Sequence, residues 1–239
     1  MGSWILATLA AFFIKGLCGF ANTLVFNTIL TLSKNNVHIS PVELLLGYPG
    51  NLILAWASRS KIQPCFCLSL SAMVLAGSIP GVFLLKYVDV SLIKAIFGAV
   101  VVAIGLQLLL QNLRHSKTRP TRLLTLLTGL LSGVLCGLFG IGALMGAYLS
   151  RITDDAESFK ANISVVFGVE NTFRLILYAV TGILTLATVR QVLLLLPFML
   201  LALGSGMLVS RFMNAAAARR LVIVLLIFSG LALIGAAIF

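Results

Sequence analysis

The chain alternates long apolar runs with short polar connections, and the length of the runs is that of a membrane crossing. Eight stretches of the ~20 residues that an α-helix needs to span a bilayer fall at roughly 4–31, 41–58, 65–86, 92–112, 122–149, 160–181, 189–210 and 218–238. The runs are too long and too rich in glycine for outer-membrane strands, so they predict helices. The longest polar connection, Asn112 to Thr121, carries Arg114, Lys117, Arg119 and Pro120 and divides the chain almost in half.

The two halves repeat one another. Leu17-Cys18-Gly19 recurs 118 residues later as Leu135-Cys136-Gly137, and Asn51 recurs 120 residues later as Asn171. Gly81, Lys94 and Gly105 find Gly206, Arg219 and Gly230 at an offset of 125. The pattern therefore predicts a first membrane repeat at 1–113, a basic linker at 114–121 and a second repeat at 122–239. Four spans per repeat is an even number, which predicts parallel repeats about an axis along the membrane normal. A segment that turned back halfway would overturn that inference.

One stretch breaks the apolar rhythm from within. Thr128 to Leu149 is uncharged yet carries Gly129, Gly133, Gly137, Gly140, Gly142 and Gly146. The first three are spaced four apart and line one helix face, which lets another backbone approach closely. Gly140 and Gly142 interrupt that spacing, and glycine weakens a helix by about 1 kcal/mol per residue. Unwound backbone inside a membrane is tolerated only where protein buries it or a polar cavity adjoins it. The stretch is thus either a broken helix at a binding site or a plain packing face.

Composition fits this reading. The chain of 239 residues is 60% hydrophobic and 10% charged, against about 25% charged in a soluble domain. The formal charge of +11 comes from 17 basic and 6 acidic side chains. The bases cluster in short connections, where headgroup contact and topology explain them without nucleic acid. Basic residues divide evenly between the two sides, and the dense central linker favours a cytoplasmic position. Cys18, Cys65, Cys67 and Cys136 lack accompanying histidines at ligand spacing, so no metal site or cofactor is expected. No catalytic set, nucleotide loop or cofactor fingerprint occurs, and the protein reads as no enzyme.

Charges within the spans cost about 2.5–3.5 kcal/mol on insertion scales and are functional suspects. Lys15 falls in the middle of the first span, and serves as an anion ligand, an internal ion-pair partner or a snorkelling base. Glu170 and Arg174 lie four apart in the sixth span and either neutralise each other or divide the work. In the second case Arg174 grips an oxyanion through its planar fork and Glu170 exchanges a coupling proton. Asn51 and Asn171 are repeat-related neutral donors, and Asn22 stands near the position that Gly140 takes in the second copy. Glu43, close after Pro41, reads as a first-turn acid favoured by the helix dipole, and Asp155 as a loop residue leading into the sixth span. The candidate substrate-binding set is Lys15, Asn22, Asn51, Gly140, Gly142, Asn171 and Arg174, with Glu170 for coupling.

At these residues the chain resembles the TauE/SafE family of sulfite exporters. Lys15-Gly16 and Gly19-Phe20 resemble that family's K-G-x-x-G-F-G opening, and Gly133, Gly137, Gly140 and Gly142 resemble its second glycine-rich segment. Gly77 to Val88 looks like its third span. Ala21-Asn22 and Ala143 depart from the glycines usual there. The resemblance implies an all-α integral membrane protein of about eight helices in a bacterial inner membrane. It also implies secondary transport of a small sulfur-containing anion, such as sulfite or an organosulfonate. A passive anion channel and a non-transporting assembly partner are the rival readings, and the partners expected are the anion, the bilayer and a homo-oligomer.

Overall fold

The computed structural model describes residues 1–31, 36–84, 122–139, 142–153 and 155–212, with scattered positions in 98–109 and 220–235. The basic linker, Gly140 and most of the fourth and eighth expected spans lie outside the described residues. Among those described, the regular structure is helical: α1 (Gly2–Cys18), α2 (Asn22–Thr31), α3 (Asn36–Ala57), α4 (Pro64–Leu84), α5 (Arg122–Phe139), α6 (Ala143–Ile152), α7 (Ala156–Val180) and α8 (Leu186–Ser210). Among the described residues, three stretches, Pro64–Gly81, Ala156–Val180 and Leu186–Ser210, are long and apolar enough to cross a membrane.

Local chemistry sets several boundaries. Pro64 opens α4, where its missing N–H costs no helix bond. The Asp155 carboxylate caps α7 by accepting from Ser158 N at 2.8 Å, as the expected lead-in acid. Thr185 does the same for α8 through Thr188 N. Gly19, with φ 86°, ends α1, and its N–H donates to Lys15 O at 2.6 Å.

The first expected span does not run through. Trp4 packs edge-on against Phe26 with ring centroids 5.9 Å apart, while Lys15 hydrogen-bonds Asn22. α2 therefore folds back along α1, and the pair is a helical hairpin. Its turn holds two left-handed residues, Gly19 and Ala21 (φ 73°).

α2 in turn runs antiparallel to α3, because Asn22 meets Glu43 while the ends at 31 and 36 are close in the chain. α3 and α7 are also antiparallel, with Ser40 on Tyr178, Glu43 near Arg174 and Tyr48 on Thr172. α4 leaves the end of α3 where α7 begins, since Gln63 N and Cys67 both reach Asn162. α5 lies parallel to α4, with Gly129 over Met73, Gly133 over Gly77 and Val134 over Gly81. The end of α5 is thus far from the start of α7, and α6 must run back between them.

These directions run against the parallel arrangement expected from an even number of crossings. α3 and α7, which the Asn51/Asn171 repeat would superimpose, point in opposite senses. The cause is the hairpin, which adds a reversal of the chain before α3.

Among the described helices, the pairs in closest contact join the first half of the chain to the second. α4 packs most extensively on α5, and α1 on α8. Both crossings place glycine on glycine. A Cβ on Gly206 would lie 3.0 Å from Gly16 Cα, and one on Gly133 would lie 2.8 Å from Gly77 Cα. Small residues let backbones close in this way where lipid supplies no hydrophobic drive between helices. The glycine stretch is therefore a packing face at Gly129 and Gly133 and an interruption at Gly142.

Two apolar cores result. One gathers Ala7 and Phe12 of α1, Phe26 of α2, Leu46 of α3 and Met199 of α8. The other gathers Leu70 of α4, Met145 of α6 and Val166 of α7, and receives Leu17, Phe20 and Leu24 from the first hairpin's tip.

Candidate functional site

Between these cores lies a cavity of about 20 Å³, lined by Lys15, Phe20, Ala21, Asn22, Thr23, Leu24, Glu43, Asn51, Gly142, Phe167, Glu170 and Asn171. That volume holds about one water. Six of the sequence-derived candidates, Lys15, Asn22, Asn51, Gly142, Glu170 and Asn171, meet there, although they come from α1, α2, α3, the α6 N-cap and α7.

Lys15 is buried and does not snorkel. Its Nζ donates to Asn22 Oδ1 at 3.1 Å and lies 3.5 Å from Gly47 O. Asn22 passes the polarity on, its Nδ2 donating to Glu43 Oε1 at 2.6 Å. Thr23 Oγ1 donates to the same oxygen at 2.6 Å. Gly47 makes room for this cluster, since a Cβ there would stand 3.2 Å from Glu43 Oε1 and 3.4 Å from Asn22 Nδ2. Lys15 is thus tied through one amide to a carboxylate, and its charge remains on the cavity wall.

Glu43 corrects an expectation. α3 begins at Asn36 and continues through Pro41, so Glu43 is not a first-turn acid at a membrane surface. It is 3% exposed. Its Oε1 takes the two hydrogen bonds above, and its Oε2 lies 3.7 Å from Arg174 Nη2.

Arg174 does not line the cavity. It stands behind the wall, with Nη2 toward Glu43, Nε 3.6 Å from Glu170 Oε1 and Nη1 donating to Cys136 O at 3.1 Å. Its intrahelical pairing with Glu170 is real, but it is half of a three-member bridge. Cys136 is in the last turn of α5, where carbonyls lack helix partners and a cation is favoured. Among the described residues the buried charged side chains are Lys15, Glu43, Glu170 and Arg174. With all four ionised their charges cancel.

The amides are less committed. Asn51 is 1% exposed, and its Oδ1 has no hydrogen-bond partner. Glu170 Oε1 likewise accepts no hydrogen bond. Both atoms belong to cavity-lining residues, and the Glu170 oxygen is held by its ion pair with Arg174 but by no hydrogen bond.

Two backbone features shape the wall. Ala21, beside Asn22, holds φ 73° without being glycine, at a cost on the order of 1–2 kcal/mol. At Gly142 a Cβ would run into the Phe167 ring. The residues that sequence reasoning missed are Glu43, Thr23 and Phe167. Glu43 had a signal, being one of only six acids in a chain with a buried lysine to balance.

A buried, charge-balanced polar cavity beside a helical hairpin in an apolar bundle is consistent with a membrane transporter. The family profile described as "Sulfite exporter TauE/SafE" matches residues 4–233. The chain therefore belongs to the TauE/SafE sulfite exporter family, whose members are membrane transporters. No curated protein and no solved structure matches it.

Proposed function

We propose that the protein is a secondary transporter that moves a small sulfur-containing oxyanion, sulfite or an organosulfonate, across a bacterial inner membrane by alternating access. The observation that carries this reading is the shared cavity of Lys15, Asn22, Asn51, Gly142, Glu170 and Asn171. Lys15 supplies the attracting charge. The Asn51 and Asn171 amides and the backbone at the Gly142 break supply hydrogen-bond donors. Asn22 holds the lysine in position. Arg174 acts at one remove, fixing the two carboxylates instead of gripping the anion.

The charge balance argues for coupling. An anion entering a neutral cluster leaves a net negative charge in a site where uncompensated charge is costly. Protonation of Glu170, whose Oε1 accepts no hydrogen bond, removes that charge. Glu43 is the poorer proton carrier because its Oε1 already accepts two hydrogen bonds. In this reading the chain is two repeats, 1–113 and 122–239, joined by 114–121 and inverted across the membrane. Each repeat begins with a hairpin that enters from its own side.

The test is sulfite flux in proteoliposomes with and without an imposed pH gradient. The expected result is saturable flux that responds to the gradient. It is lost in Lys15→Met and freed from pH in Glu170→Gln. Unsaturable flux indifferent to the gradient would make the protein a passive channel, and full flux in Lys15→Met would remove the site assignment.

A further inference from the structure

α7 carries a second basic residue that the site does not use. Lys160 lies near the start of the helix, and its Nζ donates to Gly16 O at 3.2 Å. Gly16 is in the last turn of α1, so the accepting carbonyl is again one without a helix partner. The lysine stem also covers the hairpin turn, as a Cβ on Gly19 would lie 2.8 Å from Lys160 Cγ. The same relation holds at the other end of the site, where Arg174 donates to Cys136 O in the last turn of α5. One helix thus caps the inner ends of both α1 and α5 with a cation.

The two caps lie on opposite sides of the cavity. Lys160 and Arg174 are separated by roughly 21 Å along α7 at 1.5 Å of rise per residue, and the lining residues Phe167, Glu170 and Asn171 fall between them. The Arg174 side is closed further by Glu43 and by the 3.0 Å contact of Ser40 Oγ with Tyr178 Oη.

We propose that Lys160 and Arg174 are the latches of two gates. Lys160 holds the tip of the α1–α2 hairpin over one face of the cavity, while on the other Arg174 holds the end of α5 and Tyr178, through Ser40, holds the first turns of α3. Release of one latch at a time opens the site to one side of the membrane. The water-sized cavity is then the doubly latched, occluded state. This rests on the transporter reading, and it assigns Lys160, Tyr178 and Ser40 as positioning residues that never touch the anion.

The experiment reads accessibility, not transport. A cysteine at Phe167 on the cavity wall, in a background with the four native cysteines replaced by serine, is labelled with a membrane-impermeant thiol reagent. Labelling is run from either face of oriented vesicles. Lys160→Met keeps the stem and removes the donor, and should raise labelling from one face by roughly tenfold, the value of a charge-assisted hydrogen bond. Tyr178→Phe, a change of one hydroxyl, should raise labelling from the opposite face by a smaller factor. If both variants favour the same face, or neither changes the ratio, the latches are wrong. If the two shifts oppose each other while sulfite flux is absent from the parent protein, the gates stand and the anion assignment fails.

Discussion

Replacing Arg174 with glutamine tests whether the buried charges form a single unit. At an effective dielectric of ~20, charges 3.6–3.7 Å apart attract by roughly 4–5 kcal/mol per pair before desolvation is counted. Removing the guanidinium leaves Glu43 and Glu170 facing a single cation, Lys15, and abandons the Cys136 carbonyl. Breaking a buried pair in this way costs about 3–5 kcal/mol, so Arg174→Gln should lower thermal stability in detergent sharply. It should not behave as a well-folded but inactive variant. Glu170→Gln alone should cost less than Arg174→Gln, because Arg174 keeps Glu43 and the Cys136 carbonyl, but it leaves the cluster with one cation in excess. The double variant restores neutrality, with Lys15 against Glu43. It should therefore be more stable than the sum of the single changes by about 1–3 kcal/mol. Melting of the four proteins by size-exclusion recovery after heating measures the cycle. Additive losses would refute the argument, since they would mean that Arg174 and Glu170 do not sense each other's charge.

Other outcomes follow from the packing and the caps. Gly133→Val places a side chain against the backbone of α4 at Val74 and Gly77 and should cost about 1–3 kcal/mol by overpacking. Gly168→Ala, also within a helix but with nothing near the added methyl, should raise stability by about 0.5–1 kcal/mol. Equal effects from these two would discredit the crossing as a close contact. Asp155→Ala removes the α7 cap and should cost about 1 kcal/mol at neutral pH. The Ser158 hydrogen bonds hold the Asp155 carboxyl below its ordinary pKa. Its stabilisation is therefore present above that ordinary value and lost as pH falls through the depressed one. The wild-type and variant melting curves should converge in strong acid, and a gap that persists there would argue against the cap.

The apolar runs announced the helices, and the buried cost of charge pointed to Lys15, Glu170 and Arg174 before any geometry was known. Asn51 and Asn171 were found by repetition, and the structure brings both to one wall. The sense of the chain was harder to read. The reversal after α1 depends on a left-handed Ala21, and nothing in an alanine's identity indicates a positive φ. With the hairpin hidden, the count of crossings came out even and the expected symmetry came out parallel. Glu43 was misplaced because Pro41 looked like a helix start, whereas α3 carries it inside. The partners of the glycines were not legible either, since a small residue shows that some backbone comes close but not which one.

The glycine crossings also bear on how the chain is made. Among the described helices, α1, in the first half of the chain, packs most extensively on α8 in the second, and α4 likewise on α5. The first half cannot complete its packing while the second is still being synthesised. Until then Lys15 waits in the bilayer with Glu43 as its nearby acid, and the cluster becomes neutral only when α7 delivers Glu170 and Arg174 together. Biogenesis should therefore end in one late, chain-wide closure instead of two domains folding in turn. A nick in the basic linker would yield fragments that must find each other to fold.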